Sequence, residues 1–355
     1  MRNFSGFLAS ILVVSTTFGG TIRDDRLDQR YRDMGSQYAA EGEVQFSDSQ
    51  GSFLASGTLV GDRWILTAAH VVDAGTDVSS MRVTIGGQTY TADAWRPHPG
   101  WNGDLGRGND IGLIHLSIAV PDIAPATLYT GKKETGKLGT FAGFGTTGTG
   151  DTGWKQGTGG TLRAGQNRVD DKGSRFGYSK NILLSDFDAP RRGGILGFLP
   201  SPFEALNVLG SRNPSDFEYS IAPGDSGGGM FIVPKKKQPA QLAGVNSFGG
   251  SLLPPFGDSS SDSSYGDYFG VTRVSPYVGW IQSEMALGDG FTTAVPLNTS
   301  NEGQKSGKHI IFPFLLAVPE PGSALIFVLA ACVMGRRRRR LKAPAALLKH
   351  SNAFM

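Results

Sequence analysis

The sequence predicts an all-β fold, a sandwich or a barrel, on two observations. Short runs rich in β-branched and apolar residues alternate with glycine turns, and no regular strand–helix–strand alternation separates them. Glycine accounts for 51 of the 355 residues, about twice its average usage, which favours turns and short strands over long surface helices. The length allows one large domain or two small ones with a well-filled core.

The strand signals lie between Ala39 and about Leu287. Strand-like runs flank a Gly-Asp turn in SGTLVGDRWILTAAHVV, and MRVTIGGQTYTADAW predicts a hairpin that turns at Gly86 and Gly87. DIGLIHL and QLAGVNSF predict further short strands. The segment 143–160 satisfies G-x-G-x-x-G, but its glycines and threonines would not start the helix that a dinucleotide site needs. We therefore expect a mobile surface loop there and no bound cofactor.

One helix is predicted near the end of this region, in SPYVGWIQSEMAL. Ser275 is a candidate cap, and Pro276 suits the first turn. Tyr277, Ile281 and Met285 recur every four residues, so they are expected to face the core.

The first 20 residues have the composition of a secretory signal peptide. Arg2 precedes an apolar run and then small residues, with cleavage expected near Gly20. A buried N-terminal strand is the alternative interpretation. An N-terminal segment, 21–38, would then lead into the domain at 39–287.

The other end combines three features in a fixed order. Pro-Glu-Pro within 318–322 precedes a short apolar run, and five arginines follow at 336–340. The arginines would stay on the cytoplasmic side, and the run is shorter than the roughly 20 residues of a stable span. This pattern resembles the PEP-CTERM sorting signal of Gram-negative bacteria. The resemblance implies an exosortase-type processing enzyme and transient contact with the inner membrane; an ordinary short membrane anchor is the alternative.

These ends set the predicted organisation of the C-terminal part. The stretch 288–317 loses strand patterning and is interpreted as a linker. The sorting signal occupies 318–340, and a cytoplasmic tail occupies 341–355.

Charge and cysteine content exclude several classes of function. The formal charge is +3, and without the arginine run the balance is slightly acidic, so no nucleic-acid surface is indicated. Cys332 is the single cysteine, so no internal disulfide can form. The carboxylates near Asp73 are too scattered to argue for calcium, and no metal site or cofactor is expected.

The stretch APGDSGGGM places Ser226 among small residues, as expected for a nucleophile on an uncrowded backbone. A serine hydroxyl needs a base to take its proton, and that base needs an orienting partner. Of five histidines, His70 is the candidate base, because it ends the apolar strand WILTAAHVV. Asp110, which enters the apolar run NDIGLIHL, is the candidate orienting carboxylate. Capping of a strand start is the alternative role for Asp110.

LTAAHVV, NDIGLIHL and GDSGGG together resemble the three signature regions of trypsin-like serine peptidases, in the same His, Asp, Ser order. GVTRVSPYVGWIQ is similar to the last strand and C-terminal helix of that family. The resemblance covers about Val44 to Met285. It implies a two-barrel chymotrypsin-like fold with a C-terminal helix, and a triad of His70, Asp110 and Ser226.

The resemblance also implies roles for neighbours of the triad. Gly224 and Ser226 would supply the N–H groups of an oxyanion hole. Asp225 would pair with a newly formed N-terminal ammonium. The nearest match to the family's start is GGTIRDDR, so Thr21 or Ile22 is the candidate to carry that amine once the signal is removed.

The expected substrate pocket follows from the same resemblance. Ser220 lies six residues before the nucleophile, at the expected pocket base, and Ser247, Phe248 and Gly249 match the pocket wall. An uncharged base favours apolar or aromatic side chains before the cleaved bond. Asp262 or Asp267 would restore a basic preference if either reached the pocket.

The sequence thus predicts a serine endopeptidase exported to the periplasm or cell surface of a Gram-negative bacterium, with protein or peptide substrates. The alternative is a catalytically inactive trypsin-like binding protein of the bacterial surface or matrix. An esterase with the same triad is a third possibility.

Overall fold

The computed structural model describes residues 20–48, 51–73, 80–190, 209–210, 213–251 and 260–293. The expected signal peptide before Gly20, most of the linker, the sorting signal and the tail lie outside the described residues. Within those ranges, no helix has the length and apolarity needed to span a bilayer.

Two elements precede the first barrel, in the predicted N-terminal segment. Strand β1 (Gly20–Ile22) pairs with two later strands, and helix α1 (Asp28–Gly35) follows it. Tyr31 on α1 is fully buried, and Arg163 on a later strand forms a two-point ion pair with Asp28 at 2.5 and 2.9 Å. The segment is therefore packed onto the domain.

Six antiparallel strands close the first barrel in the order β2-β3-β4-β7-β6-β5. Their bounds are β2 Glu41–Asp48, β3 Gly51–Gly61, β4 Trp64–Thr67, β5 Arg82–Ile85, β6 Gln88–Pro97 and β7 Gly112–Leu116. The predicted hairpin is confirmed: Ile85 pairs with Gln88, and Gly86 and Gly87 have φ of 59° and 78°. Two consecutive positive φ angles suit glycine and match the twist of a tight hairpin.

The second half of the domain is a seven-stranded sheet that forms a half-barrel, with a smaller four-stranded sheet beside it. The order of the large sheet is β11-β8-β15-β16-β17-β13-β12, and that of the small sheet is β10-β9-β1-β14. The bounds are β8 Leu138–Gly143, β9 Thr147–Thr149, β10 Gly153–Trp154, β11 Arg163–Arg168, β12 Asp171–Lys172, β13 Ile182–Asp186, β14 Tyr219–Ser220, β15 Gly229–Ile232, β16 Gln241–Gly250 and β17 Tyr268–Arg273. The closed barrel and the half-barrel confirm the all-β, two-barrel prediction.

The segment 143–160 corrects one expectation. It contains β9 and β10, and β9 lies between β1 and β10 with backbone pairing on both sides. The strands are held by backbone hydrogen bonds, and their glycines and threonines carry no apolar alternation. The sequence pattern therefore did not indicate them.

The predicted C-terminal helix is present, although its start differs. A 3-10 turn, Ser275–Tyr277, leads into α3 (Val278–Met285), and Ile281 is fully buried. Ser275 does not cap the helix; its hydroxyl donates to Glu134 Oε1 at 3.2 Å. The hydroxyl is used by the buried carboxylate of Glu134, which also binds Arg273.

The described start of the predicted linker packs onto the first barrel. Phe291 is 3% exposed and meets the Trp64 ring edge-on at a centroid distance of 4.8 Å. Arg63 binds Asp289 at 2.7 Å. Residues 288–293 therefore extend the domain beyond the predicted boundary at 287.

Candidate active site

The candidate base and its partner lie at adjacent strand ends. β4 and β7 are antiparallel neighbours, with Thr67 opposite Gly112. The chain leaves β4 and forms the short helix α2 (Ala69–Val72), which carries His70. Asp110 lies two residues before β7. Because antiparallel pairing brings the end of one strand to the start of its neighbour, the two side chains meet at one edge of the first barrel.

Asp110 is completely buried and receives three hydrogen bonds. The His70 backbone N–H donates to Oδ1 at 2.9 Å, and His70 Nδ1 lies 2.8 Å from Oδ2. The Ser247 hydroxyl, from β16 of the other half of the domain, donates to Oδ2 at 2.5 Å. A carboxylate accepts all three, so the imidazole carries its proton on Nδ1 and turns Nε2 away from Asp110. His70 Nε2 is buried and has no hydrogen-bond partner among the described residues.

The candidate nucleophile lies on the loop between β14 and β15. Its carbonyl oxygen accepts the Ser56 N–H at 2.8 Å, and the next residue, Gly227, donates to Asn246 O at 2.9 Å. A Cβ at Gly227 would lie 2.0 Å from Thr67 Oγ1 and 3.1 Å from Ala68 N. The loop therefore contacts the segment that carries His70, and Ser226 lies between the two halves of the domain.

The oxyanion-hole candidates lie on the same loop. Gly224 has a φ of +94°, in the left-handed region that favours glycine. Within the part of the chain that the structure describes, its N–H donates no hydrogen bond. An N–H in this state is available to a developing oxyanion, and one such donor contributes on the order of 3 kcal/mol to transition-state stabilisation.

Asp225 is turned inward, away from the solvent. It is fully buried, and burial raises its pKa to about 7. Its hydrogen bonds favour the ionised form and so lower the pKa, but they offset only part of the effect of burial. Its donors are Gly145 N to Oδ1 at 2.8 Å, Ala222 N to Oδ2 at 2.9 Å, and the Tyr219 hydroxyl to Oδ2 at 3.2 Å.

A second buried carboxyl, Glu41, joins the two halves of the domain just beyond the nucleophile. The Thr58 hydroxyl donates to its Oε1 at 2.6 Å, and Gly229 N donates to Oε2 at 3.3 Å. Burial raises the pKa of Glu41 to about 8, partly offset by these hydrogen bonds. Nothing in the sequence pattern indicates this residue.

We expect Glu41→Gln to change the pH dependence of stability. Between the ordinary pKa of 4.5 and the folded value of about 8, the folded state retains a proton that the unfolded state has released. The free energy of unfolding therefore falls as pH rises, by about 1.4 kcal/mol per unit. A glutamine has no proton to release, so the variant does not lose stability in this way. The difference in melting temperature, variant minus wild type, should therefore be several degrees larger at pH 8 than at pH 5.

Calorimetry at both pH values tests this expectation, with the exposed Asp62→Asn as the matched control. Equal melting differences at pH 5 and pH 8 for Glu41→Gln would rule out a proton held on this carboxyl.

The pocket candidates lie on two strands, three of them on β16 and one on β14. Ser247 uses its hydroxyl on Asp110, so it serves the histidine partner as well as lying on the expected wall strand. Phe248 is buried against the Tyr178 ring, and Gly249 pairs with Phe269 of β17. Ser220 is buried on β14, opposite Thr21 of β1.

The two acidic alternatives serve a local turn. Asp267 Oδ2 accepts the N–H groups of Asp262 and Ser263 at 3.0 and 2.8 Å. Asp262 Oδ1 accepts Ser264 N at 3.1 Å. These bonds orient both carboxylates towards the turn at 262–267.

Sequence reasoning missed Ser56 and Tyr219 beside the loop. Ser56 is fully buried, and its hydroxyl donates to Gly224 O and accepts Phe144 N, both at 2.9 Å. Small polar residues in strands carry no local signal of such contacts, so these roles depend on the assembled fold.

Comparison with known proteins agrees with this architecture. The trypsin family profile matches residues 33–182. The chain is 28% identical to pig (Sus scrofa) complement C1s subcomponent over 254 residues, covering 65% of this chain and 32% of that protein. It is 35% identical to the calcium-dependent serine proteinase of Mesocricetus auratus over 114 residues, covering 26% of this chain and 16% of that protein. The chain thus spans about a third or less of these relatives.

The two-barrel fold and these similarities together support a trypsin-like peptidase class for the domain, with the family match at residues 33–182.

Proposed function

We propose that the protein is an exported serine endopeptidase that hydrolyses peptide bonds through His70, Asp110 and Ser226. One observation supports this most directly. The His70 ring is fixed by Asp110 through Nδ1 at 2.8 Å, and its buried Nε2 is left without a partner among the described residues. A histidine held in this tautomer can accept a proton from a serine hydroxyl.

The reaction would proceed in two acyl-transfer steps. Ser226 Oγ attacks the peptide carbonyl carbon while His70 Nε2 takes the hydroxyl proton, and the oxyanion forms against the N–H groups of Gly224 and Ser226. The imidazolium then gives its proton to the leaving amine, and the C–N bond breaks. Water repeats the sequence on the ester, releasing the acid and restoring the hydroxyl.

Asp110 would stabilise the imidazolium without taking its proton. Its three hydrogen bonds fix the direction of the carboxylate towards the His70 ring. Because Ser247 comes from the second half of the domain, the triad depends on both halves being assembled.

Labelling with a fluorophosphonate probe, followed by assay on a peptide library, tests this proposal. We expect stoichiometric labelling at Ser226 and cleavage within peptides. Ester turnover without peptide cleavage would favour an esterase, and absence of both activities would favour the inactive binding protein.

We expect faster cleavage after Phe, Tyr, Leu or Met than after Arg or Lys, by at least tenfold. Ser220 at the expected pocket base is uncharged, and burial of an unpaired cation costs several kcal/mol. Asp262 and Asp267 bind the N–H groups of their own turn. A library profile dominated by Arg and Lys would overturn this expectation, and Asp262→Asn and Asp267→Asn variants would then identify the responsible carboxylate.

Export is proposed from the two ends of the sequence. Residues 1–20 would direct secretion, and the Pro-Glu-Pro signal at 318–340 would hold the chain briefly in the inner membrane for an exosortase-type enzyme. The peptidase domain would then act in the periplasm or at the cell surface.

We expect cleavage near 318–322 in a host with an intact sorting system. The short apolar run is poorly suited to permanent anchoring, and proline disfavours a helical residue before it, which would suit presentation to a processing enzyme. Mass spectrometry of the recovered protein decides this, with a Pro-Glu-Pro to Ala-Ala-Ala variant as the control. Recovery of only chains that end at Met355 would indicate a plain anchor.

A further inference from the structure

The loop that carries the nucleophile is bound to a neighbouring segment of the chain at several points. Ser56 bridges Gly224 O and Phe144 N, both at 2.9 Å. Gly145 N donates to Asp225 Oδ1 at 2.8 Å, and Thr146 N donates to a carbonyl of the loop at 2.6 Å. The backbone around the candidate oxyanion hole is therefore held by Ser56 and by residues 144–146, none of which is near the N-terminus.

Tyr219 also contacts this loop, through the side chain of Asp225. Its side chain is fully buried, and its hydroxyl lies 3.2 Å from Asp225 Oδ2. β1 passes directly over the ring: a Cβ at Gly20 would lie 2.0 Å from the tyrosine hydroxyl. Only a residue without a side chain fits there, so the hydroxyl is held against the carboxylate by packing.

The N-terminal residues make different contacts. Thr21 lies in β1 between Ser220 on one side and Gly148 on the other, and its hydroxyl donates to Ser220 O at 3.4 Å. The groups that the structure places on Asp225 are Gly145, Ala222 and Tyr219. The expected amine of Thr21 or Ile22 is not among them in this chain, where residues precede β1.

We propose that Tyr219 is a positioning residue that orients Asp225, so that the oxyanion hole forms without an N-terminal ammonium. The inference rests on the proposed peptidase function. A neutral phenol donates one hydrogen bond to the carboxylate where a positive charge would otherwise be needed. The peptidase would then be active before any residue ahead of β1 is removed, and export would need no separate activation step.

The first test compares the full chain before and after N-terminal cleavage. Cell-free synthesis with detergent supplies the chain with residues 1–19 attached, and added signal peptidase supplies the shortened form; mass spectrometry defines both termini. We expect the fluorophosphonate labelling rate and kcat/KM to agree within about twofold. A tenfold or greater increase on cleavage would overturn the proposal.

The second test removes the hydroxyl alone. Tyr219→Phe should lower kcat by tenfold or more and leave KM for a peptide within about twofold, because only the oxyanion site is disturbed. A peptide aldehyde forms a tetrahedral adduct with the nucleophile and so resembles the transition state. Its affinity should therefore fall by about the same factor as kcat.

Tyr31→Phe is the matched control, because Tyr31 is also fully buried and its hydroxyl donates to Glu218 O at 3.1 Å without contacting Asp225. We expect it to retain the wild-type kcat. Equal losses in the two variants, or no loss in Tyr219→Phe, would reject the role of Tyr219. If Tyr219→Phe fails to fold, the comparison before and after N-terminal cleavage still tests whether the oxyanion hole needs an N-terminal ammonium. A wild-type chain that is neither labelled nor active in either form would instead reject the proposed peptidase function.

Discussion

Ser226→Ala is expected to abolish peptide hydrolysis, with a loss in kcat on the order of 10⁵ to 10⁶. The variant deletes the atom that would attack the carbonyl carbon, and neither His70 nor the oxyanion hole can replace it. The loop should keep its shape, because Ser226 contributes a carbonyl oxygen to Ser56 N, and that contact is made by the backbone.

The measurement combines kcat on the best library peptide, fluorophosphonate labelling and a thermal melt. Ser283→Ala is the matched control, since this serine also forms a hydrogen bond, to Gly279 O on α3, far along the chain from the loop. We expect the control to retain full activity and Ser226→Ala to melt within a few degrees of wild type. A folded Ser226→Ala protein that retained more than a hundredth of the activity would falsify the assignment of the nucleophile.

The parts of the fold that the sequence predicted are those with a strong local pattern. β4, β7 and β16 carry clustered β-branched and apolar residues, and Gly86-Gly87 fixes a two-residue hairpin whatever surrounds it. β9 and β10 were missed because they are too short to show apolar alternation and are held by backbone pairing, of β9 with β1 and of β10 with β9. α1 was missed because its charged sequence becomes ordered through Tyr31 and Asp28, which meet partners far along the chain.

In the candidate site, too, the sequence predicts the residues that lie in contiguous motifs but not the contacts between residues far apart in the chain. The motifs around His70, Asp110 and Ser226 are each contiguous in the chain, so the amino-acid sequence alone is enough to propose them. The contacts that hold them are not contiguous: Ser247 meets Asp110 across 137 residues, and Ser56 meets Gly224 across 168. Burial of Glu41, which raises its pKa, also depends on assembly, because its carboxyl binds Thr58 of the first barrel and Gly229 of the second half.

Asp110→Asn is expected to reduce turnover by about 10⁴, and the hydrogen bonds of Asp110 give the reason. All three of its partners donate: His70 N to Oδ1, and His70 Nδ1 and the Ser247 hydroxyl to Oδ2. An asparagine has one accepting oxygen and one donating NH₂ group. If the NH₂ takes the Oδ1 position, it opposes the His70 backbone N–H. If it takes the Oδ2 position, it requires the lone pair of His70 on Nδ1.

In the second orientation His70 carries its proton on Nε2, and it can no longer accept the proton of Ser226. We expect kcat to fall while KM for the peptide changes little, because Asp110 is completely buried behind His70. Asp93→Asn is the matched control: Asp93 also forms a His–Asp contact in the first barrel, 2.6 Å from His115 Nδ1, and its loss should leave kcat unchanged. An Asp110→Asn protein with near-normal turnover would reduce Asp110 to a buried cap at the start of β7, and the base at the site would have to be oriented by another group.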